Sequence, residues 1–155
     1  MQVSLRRVKL DQHLGVAHTH SIMIDQRTVS EDDDAGFRPS ELWMLGLASC
    51  LGRSIQQYAD KQGWTIQHLG IEVEDALDEY NHIQQLTFYL RTEGIAYAAR
   101  VEMFQAVRYG SKLLRTVSSE INIRFVDQTS SPQVPRQHQD RIGENVSKDK
   151  ELYLV

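Results

Sequence analysis

The run Leu42-Trp43-Met44-Leu45-Gly46-Leu47-Ala48-Ser49-Cys50-Leu51 restricts the possible folds more than any other part of the chain, because every position in it is apolar or small. It lies early in a segment that reads as one long helix. Arg38-Pro39-Ser40-Glu41 makes a good start: proline is tolerated in the first turn, where its missing N–H costs nothing, and Glu41 faces the positive end of the helix dipole. Gly63 is a natural C′ residue, so the helix should end near Gln62. Such a helix spans roughly 36 Å. A helix that is hydrophobic on every face must be covered on every face, and 155 residues leave little material to do so along that length. Two copies packing their long helices together would cover it, so an obligate homodimer is expected. Gly46, Ser49 and Gly52 cost helix propensity, but together with Ala48 they let another backbone come close. From Arg53 onward the helix turns amphipathic, with Ile55 and Tyr58–Ala59 inward.

The rest of the chain reads as strands around that helix. Val3, Leu5, Val8 and Leu10 alternate with polar neighbours, apart from a slip at Arg6-Arg7 that suggests a bulge or an edge strand. Leu14-Gly15 is a plausible turn, after which His18, His20, Ile22 and Ile24 share one face. Beyond the helix, Ile66–Asp75 and Ile83–Arg91 are strand patterns joined by the acidic stretch Asp75–Asn81. Tyr97 to about Val117 is helical, with Val101, Phe104, Val107, Leu114 and Val117 on one stripe and a break at Tyr109-Gly110-Ser111. Ile121–Phe125 is a last strand. Residues 127–150 are polar and read as a solvated tail, with Leu152–Val155 able to dock as a short strand. The order is strand, strand, long helix, strand, strand, broken helix, strand, an α/β (α+β) domain over residues 1–126 with a polar extension over 127–155.

A net charge of −4 argues against a nucleic-acid or anionic-membrane partner, which calls for a basic face. The single cysteine excludes an intramolecular disulfide. No apolar signal core precedes the charges at Arg6-Arg7, and no apolar run approaches the roughly 20 residues of a spanning helix. A cytoplasmic protein is expected.

The segments His20-Ser21-Ile22-Met23-Ile24-Asp25, Pro39-Ser40-Glu41-Leu42, Leu45-Gly46-Leu47-Ala48-Ser49-Cys50-Leu51 and Tyr58-Ala59-Asp60-Lys61-Gln62-Gly63-Trp64, in that order and spacing, resemble the OsmC-like family. The resemblance covers about residues 15–126. It implies antiparallel sheets wrapped around long central helices in an intertwined homodimer. It also implies a peroxidase chemistry: a helix cysteine attacks a hydroperoxide and becomes a sulfenic acid, a second cysteine resolves it, and an arginine and a glutamate stabilise the thiolate. Cys50 matches the attacking cysteine. Arg108, in Arg108-Tyr109-Gly110-Ser111-Lys112, stands where the resolving thiol would be, so an internal disulfide mechanism is impossible. The position matching the glutamate is Ser40; Glu41 follows it, and Arg38 is the nearest candidate arginine. The resemblance therefore implies catalytic roles for Cys50, Glu41 and Arg38, with an organic hydroperoxide as substrate, an external thiol as reductant, and oxidative-stress defence as the setting. It calls for no cofactor and no metal. The alternative is a non-catalytic homodimer holding a small hydrophobic ligand near Cys50.

Other features carry blander readings. His18 and His20 form a metal pair only with a third ligand, and otherwise are polar residues on a strand face. Asp32–Asp34 lacks the ligand spacing of a calcium loop. Arg108, Lys112 and Arg115 make a basic strip at helical spacing, by default a solvated face. Trp43 and Trp64 read as packing residues. Light scattering is expected to return twice the chain mass, and a monodisperse monomer would overturn the reading of the long helix.

Overall fold

The computed structural model describes residues 2–25 and 36–129 and the backbone of residues 153 and 154. They fall into two compact units, residues 1–46 and 47–155. The expected acidic loop and most of the polar tail lie outside the described residues.

The first unit is a three-stranded antiparallel sheet of β1 (Ser4–Lys9), β2 (Gln12–Ala17) and β3 (His20–Asp25), in that order. It holds one strand more than expected. The turns fall at Leu10 and His18, both with positive φ, rather than at Leu14-Gly15. Gly15 sits inside β2, paired with Leu5 and with Ile22. A Cβ there would come within 3.3 Å of the Ile22 and Ile24 side chains, so glycine makes room for cross-strand isoleucines and does not bend the chain. His18 consequently belongs to a turn and not to the His20 face. The slip after Arg6-Arg7 is present as a register shift between Arg7 and Lys9. Val3, Leu5, Ala17, Ile22 and Ile24 surround Gly15 in an open apolar hollow of about 570 Å³. Phe37 then returns along β3, its N–H donating to the Met23 carbonyl at 3.1 Å.

Helix α1 (Pro39–Gln62) has the bounds that its sequence signals gave. Arg38 caps it, its backbone N–H donating to Glu41 Oε2 at 2.8 Å, which is half of a capping box. At the other end Gly63 takes φ 71°, Trp64 N–H bonds the Ala59 carbonyl and Gly63 N–H bonds that of Asp60, a complete Schellman closure. The buried residues Leu47, Leu51, Ile55 and Ala59 are spaced four apart and form a single stripe. The apolar run is therefore covered on one side by its own chain, while Trp43 and Leu45 remain 39% and 52% exposed.

In the second unit β4 (His68–Leu77), β5 (Ile83–Glu93), β6 (Asn122–Asp127) and β7 (Tyr153–Leu154) form one sheet in that order. Every pairing in the two sheets is antiparallel except β5 with β6. A parallel pair needs a crossover connection, and α2 (Tyr97–Gly110) with a 3₁₀ turn at Leu114–Thr116 provides it. One sheet face carries Leu69, Ile71 and Val73 of β4, Leu86, Phe88, Leu90 and Thr92 of β5, and Ile123, Phe125 and Asp127 of β6. Phe88 and Phe125 meet edge to face at 5.5 Å. Helix α1 lies on this face, because a Cβ at Gly52 would touch Ile71 and Leu69 at 3.5 and 3.7 Å. Full burial of each large side chain here is worth about 1.5–3 kcal/mol.

Asp127 brings a deeply buried charge to that face, and it is answered by Arg100 of α2. The Arg100 Nε lies 2.8 Å from Asp127 Oδ2, Nη1 donates to the Ile95 carbonyl at 2.8 Å, and both side chains of the pair are more than nine-tenths buried. Thr129 donates its N–H and its hydroxyl to Asp127 Oδ1, and its oxygen accepts the Thr92 N–H. Strand β6 thus runs to Asp127, one residue past the expected end of the domain at 126. Among the described residues no helix is long and apolar enough to cross a membrane, and no three His, Cys, Asp or Glu residues gather in a metal-binding group.

Removing one partner of such a pair leaves the other charge buried and uncompensated, at a cost of about 3–5 kcal/mol. Arg100→Met is expected to lower stability to urea by that amount, and Arg100→Met/Asp127→Leu to recover most of it. Two equal and additive losses would show that the pair is not coupled.

Candidate functional site

Cys50 occupies the α1 turn between the buried Leu47 and Leu51, one position round from the stripe, and is half-buried. That placement follows from the 3.6-residue period: a neighbour of a core position sits on the edge of the buried stripe. What it meets there is decided by α2. Tyr58 of α1 donates its hydroxyl to Glu102 Oε1 of α2 at 2.7 Å, and Ser111, just past α2, donates its hydroxyl to Cys50 Sγ at 3.4 Å. The two contacts run in opposite directions along the chain, so the helices are antiparallel and Cys50 faces the end of α2. Glu102 also holds the Tyr58 phenol proton, raising its pKa above the ordinary value.

Ser111 is fully buried and extended. Its N–H closes α2 on the Val107 carbonyl at 3.0 Å, and its carbonyl accepts from Arg115 N–H at 3.2 Å. Both backbone ends are thereby fixed, which aims the hydroxyl. A new helical turn begins immediately afterwards, and the first amides of a helical turn have no partner within it. The N–H groups of Leu113 and Lys112 act on the Cys50 sulfur instead. The thiol pKa is lowered from its ordinary value chiefly by the Ser111 hydrogen bond, against the opposing effect of burial, with further help from the Leu113 and Lys112 amides and the Lys112 charge. Each donor favours a thiolate over a thiol. On the helix side, Ser54 donates its hydroxyl to the Cys50 carbonyl at 3.0 Å.

The residues expected beside Cys50 are placed differently. Glu41 is exposed in the first turn of α1, engaged by the Arg38 backbone. It is nine positions before Cys50 on one continuous helix, which is half a revolution round and about 13.5 Å along the axis. Arg38 is exposed at the N-cap. Within one chain, α1 does not turn either side chain toward the sulfur. Ser111 and Lys112, which the sequence marks only as a helix break and part of a basic strip, are the residues found at Cys50.

A family model described as OsmC-like protein matches residues 31–126, more than half of the 155. The chain belongs to the OsmC-like protein family. Solved structures agree in fold. An OsmC-like protein from Mycoplasma pneumoniae superposes with a TM-score of 0.68 at 17% identity, covering 81% of this chain and 95% of its own. The organic hydroperoxide resistance protein of Bacillus subtilis gives 0.64 at 16% identity, covering 80% and 94%. An OsmC-like protein of unknown function from Vibrio cholerae gives 0.67 at 11% identity, covering 80% and 97%. A search of curated proteins finds no match.

In this OsmC-like chain the segment where the resemblance expects a resolving thiol contributes a hydroxyl, two amides and a cation to the cysteine. Arg108, at the matched position, is half-buried with its guanidinium carbon 5.9 Å from the centre of the Tyr109 ring. The depressed thiol pKa has a sign that can be tested. It contributes folding stability above the unfolded thiol pKa, and that contribution is lost as pH falls through the folded value. Ser111→Ala removes the largest cause, so the midpoint of iodoacetamide labelling against pH is expected to move upward and labelling near neutral pH to slow. An unchanged midpoint would exclude the Ser111 hydroxyl as the source.

Proposed function

We propose that the chain is a one-cysteine, thiol-dependent organic hydroperoxide reductase acting in oxidative-stress defence. The observation that carries this is the Ser111 hydroxyl donating to Cys50 Sγ beside two backbone amides, an arrangement that stabilises a thiolate at a half-exposed position. Membership of the OsmC-like family supports it, as does a fold shared with a hydroperoxide resistance protein. The Cys50 thiolate attacks the distal oxygen of R–O–O–H. An S–O bond forms, the O–O bond breaks, and the alkoxide leaves and takes a proton to become R–O–H. Cys50–S–O–H remains. With no second cysteine in the chain, an external thiol displaces the hydroxyl as water and forms a mixed disulfide. A second thiol then releases Cys50.

The reading places residues 1–126 as the working OsmC-like domain of a homodimer in the cytoplasm, where free thiols persist as reductant. The half-uncovered run of α1 and the open apolar face of the first unit support the dimer. Glu41 and Arg38 enter as residues that a second subunit would have to bring to Cys50, since α1 turns Glu41 away from it. The non-catalytic alternative is a hydrophobic ligand held near Cys50; the apolar hollow among Val3, Leu5 and Ile22 belongs to the first unit and is not lined by Cys50.

Reduced protein incubated with an organic hydroperoxide and a thiol donor is expected to turn over, and Cys50→Ser to lose that turnover, because the attacking nucleophile is gone. Turnover unchanged in Cys50→Ser would refute the assignment. No turnover with an intact thiol would favour the ligand-binding alternative.

A further inference from the structure

Resting on that reading, we infer that the thiol which reduces the Cys50 sulfenic acid is a small anionic, carboxylate-bearing thiol, selected by Lys112. The distribution of charge carries this. The chain is acidic at −4, yet the two segments that meet at Cys50 hold cations alone. From Leu42 to Ala59 the charged residue is Arg53; from Met103 to Ser119 the charged residues are Arg108, Lys112 and Arg115. Arg53, Lys112 and Arg115 are exposed, and among the described residues none of the three is in an ion pair.

The acids of neighbouring elements are spent or face away. Gly52 meets Leu69 and Ile71, so Glu72 and Glu74, of opposite parity on β4, lie on the far face, where Glu74 accepts from Tyr89 at 2.9 Å. Asp75 shares the helix-facing parity but lies four residues beyond Ile71, about 13 Å along the strand. Glu102 is engaged by Tyr58 nine residues before Ser111, about 13 Å along α2. Asp127 is held by Arg100, and Glu120 lies beyond the 3₁₀ turn. Among the described residues, the charged groups closest in sequence to the Cys50–Ser111 contact are therefore cations, and the Lys112 charge adds to the lowering of the thiol pKa.

With one cysteine per chain and an external reductant, the proposed cycle brings its second thiol in from solution past these cations. The incoming R–S⁻ attacks the sulfur of Cys50–S–O–H: an S–S bond forms, the S–O bond breaks, and hydroxide leaves to become water. A second R–S⁻ attacks the R sulfur, giving R–S–S–R and the Cys50 thiolate. Positive charge beside the target raises the encounter rate of a negatively charged reagent and screens with salt. Lys112 is in this sense a specificity residue.

The test reads the charge preference apart from peroxidase activity. The reduced full chain is mixed at low salt with a dicarboxylate aryl disulfide and, separately, with a neutral dipyridyl disulfide. The ratio of the two rate constants cancels the thiolate fraction. That ratio is expected to fall about fivefold in Lys112→Gln and further in Lys112→Glu, to return in Lys112→Arg, and to shrink at high salt. An equal ratio in wild type and Lys112→Glu would overturn the inference. After oxidation by an organic hydroperoxide, glutathione is expected to reduce Cys50 faster than 2-mercaptoethanol in wild type and to lose that advantage in Lys112→Glu. A sulfenic acid reduced equally by both also overturns it. A protein that forms no sulfenic acid overturns the peroxidase reading, a failure told apart because the disulfide ratio is measured on the reduced thiol.

Discussion

A carboxylate on the inner face of a sheet needs a cation, and in this chain that need sets the position of everything around the cysteine. Asp127 ends β6 on the side that carries Phe125 and Ile123, and Arg100 must reach it from the first turn of α2. With its start tied there, α2 has a fixed run to its end, eleven residues from Arg100 to Ser111 or about 16 Å. The Tyr58–Glu102 hydrogen bond sets the second point of contact with α1. Ser111 then arrives under Cys50 as a matter of helix length. The acidity of the thiol is thus a consequence of an ion pair at the opposite end of the same helix.

Much of the fold was legible because it rests on local signals. Pro39 and Gly63 bound α1 correctly, since an N1 proline and a left-handed C′ glycine act on the backbone where they stand. The stripe Phe104, Val107 and Leu114 and the break at Tyr109-Gly110-Ser111 were legible for the same reason. The first sheet is less legible. Gly15 looks like a turn residue, but its glycine answers to the volumes of Ile22 and Ile24 on the next strand, which no local rule reports. Arg100 and Asp127 are 27 residues apart, and nothing in the spacing marks them as partners.

The site divides in the same way. Cys50 stands out as the only thiol in the chain, on a helix that must be buried somewhere. Ser111 and Lys112 could be noticed as a break and a charge, but their meeting with Cys50 is made by tertiary structure. Glu41, in contrast, has a full local explanation: it closes the helix start on the Arg38 amide. Where a second cysteine would give a disulfide partner, this chain gives hydrogen-bond donors, and donors change acidity without offering electrons.

Sixty-one residues separate Cys50 from the hydroxyl that acidifies it. A nascent chain emerging with Cys50 already made, and Ser111 not yet synthesised, carries an ordinary thiol that is mostly protonated at neutral pH. The lowered thiol pKa is then acquired on completion of the parallel β5–β6 crossover, and it is lost again whenever that unit opens. Heat or denaturant, by the same token, renders the cysteine more accessible but chemically less acidic.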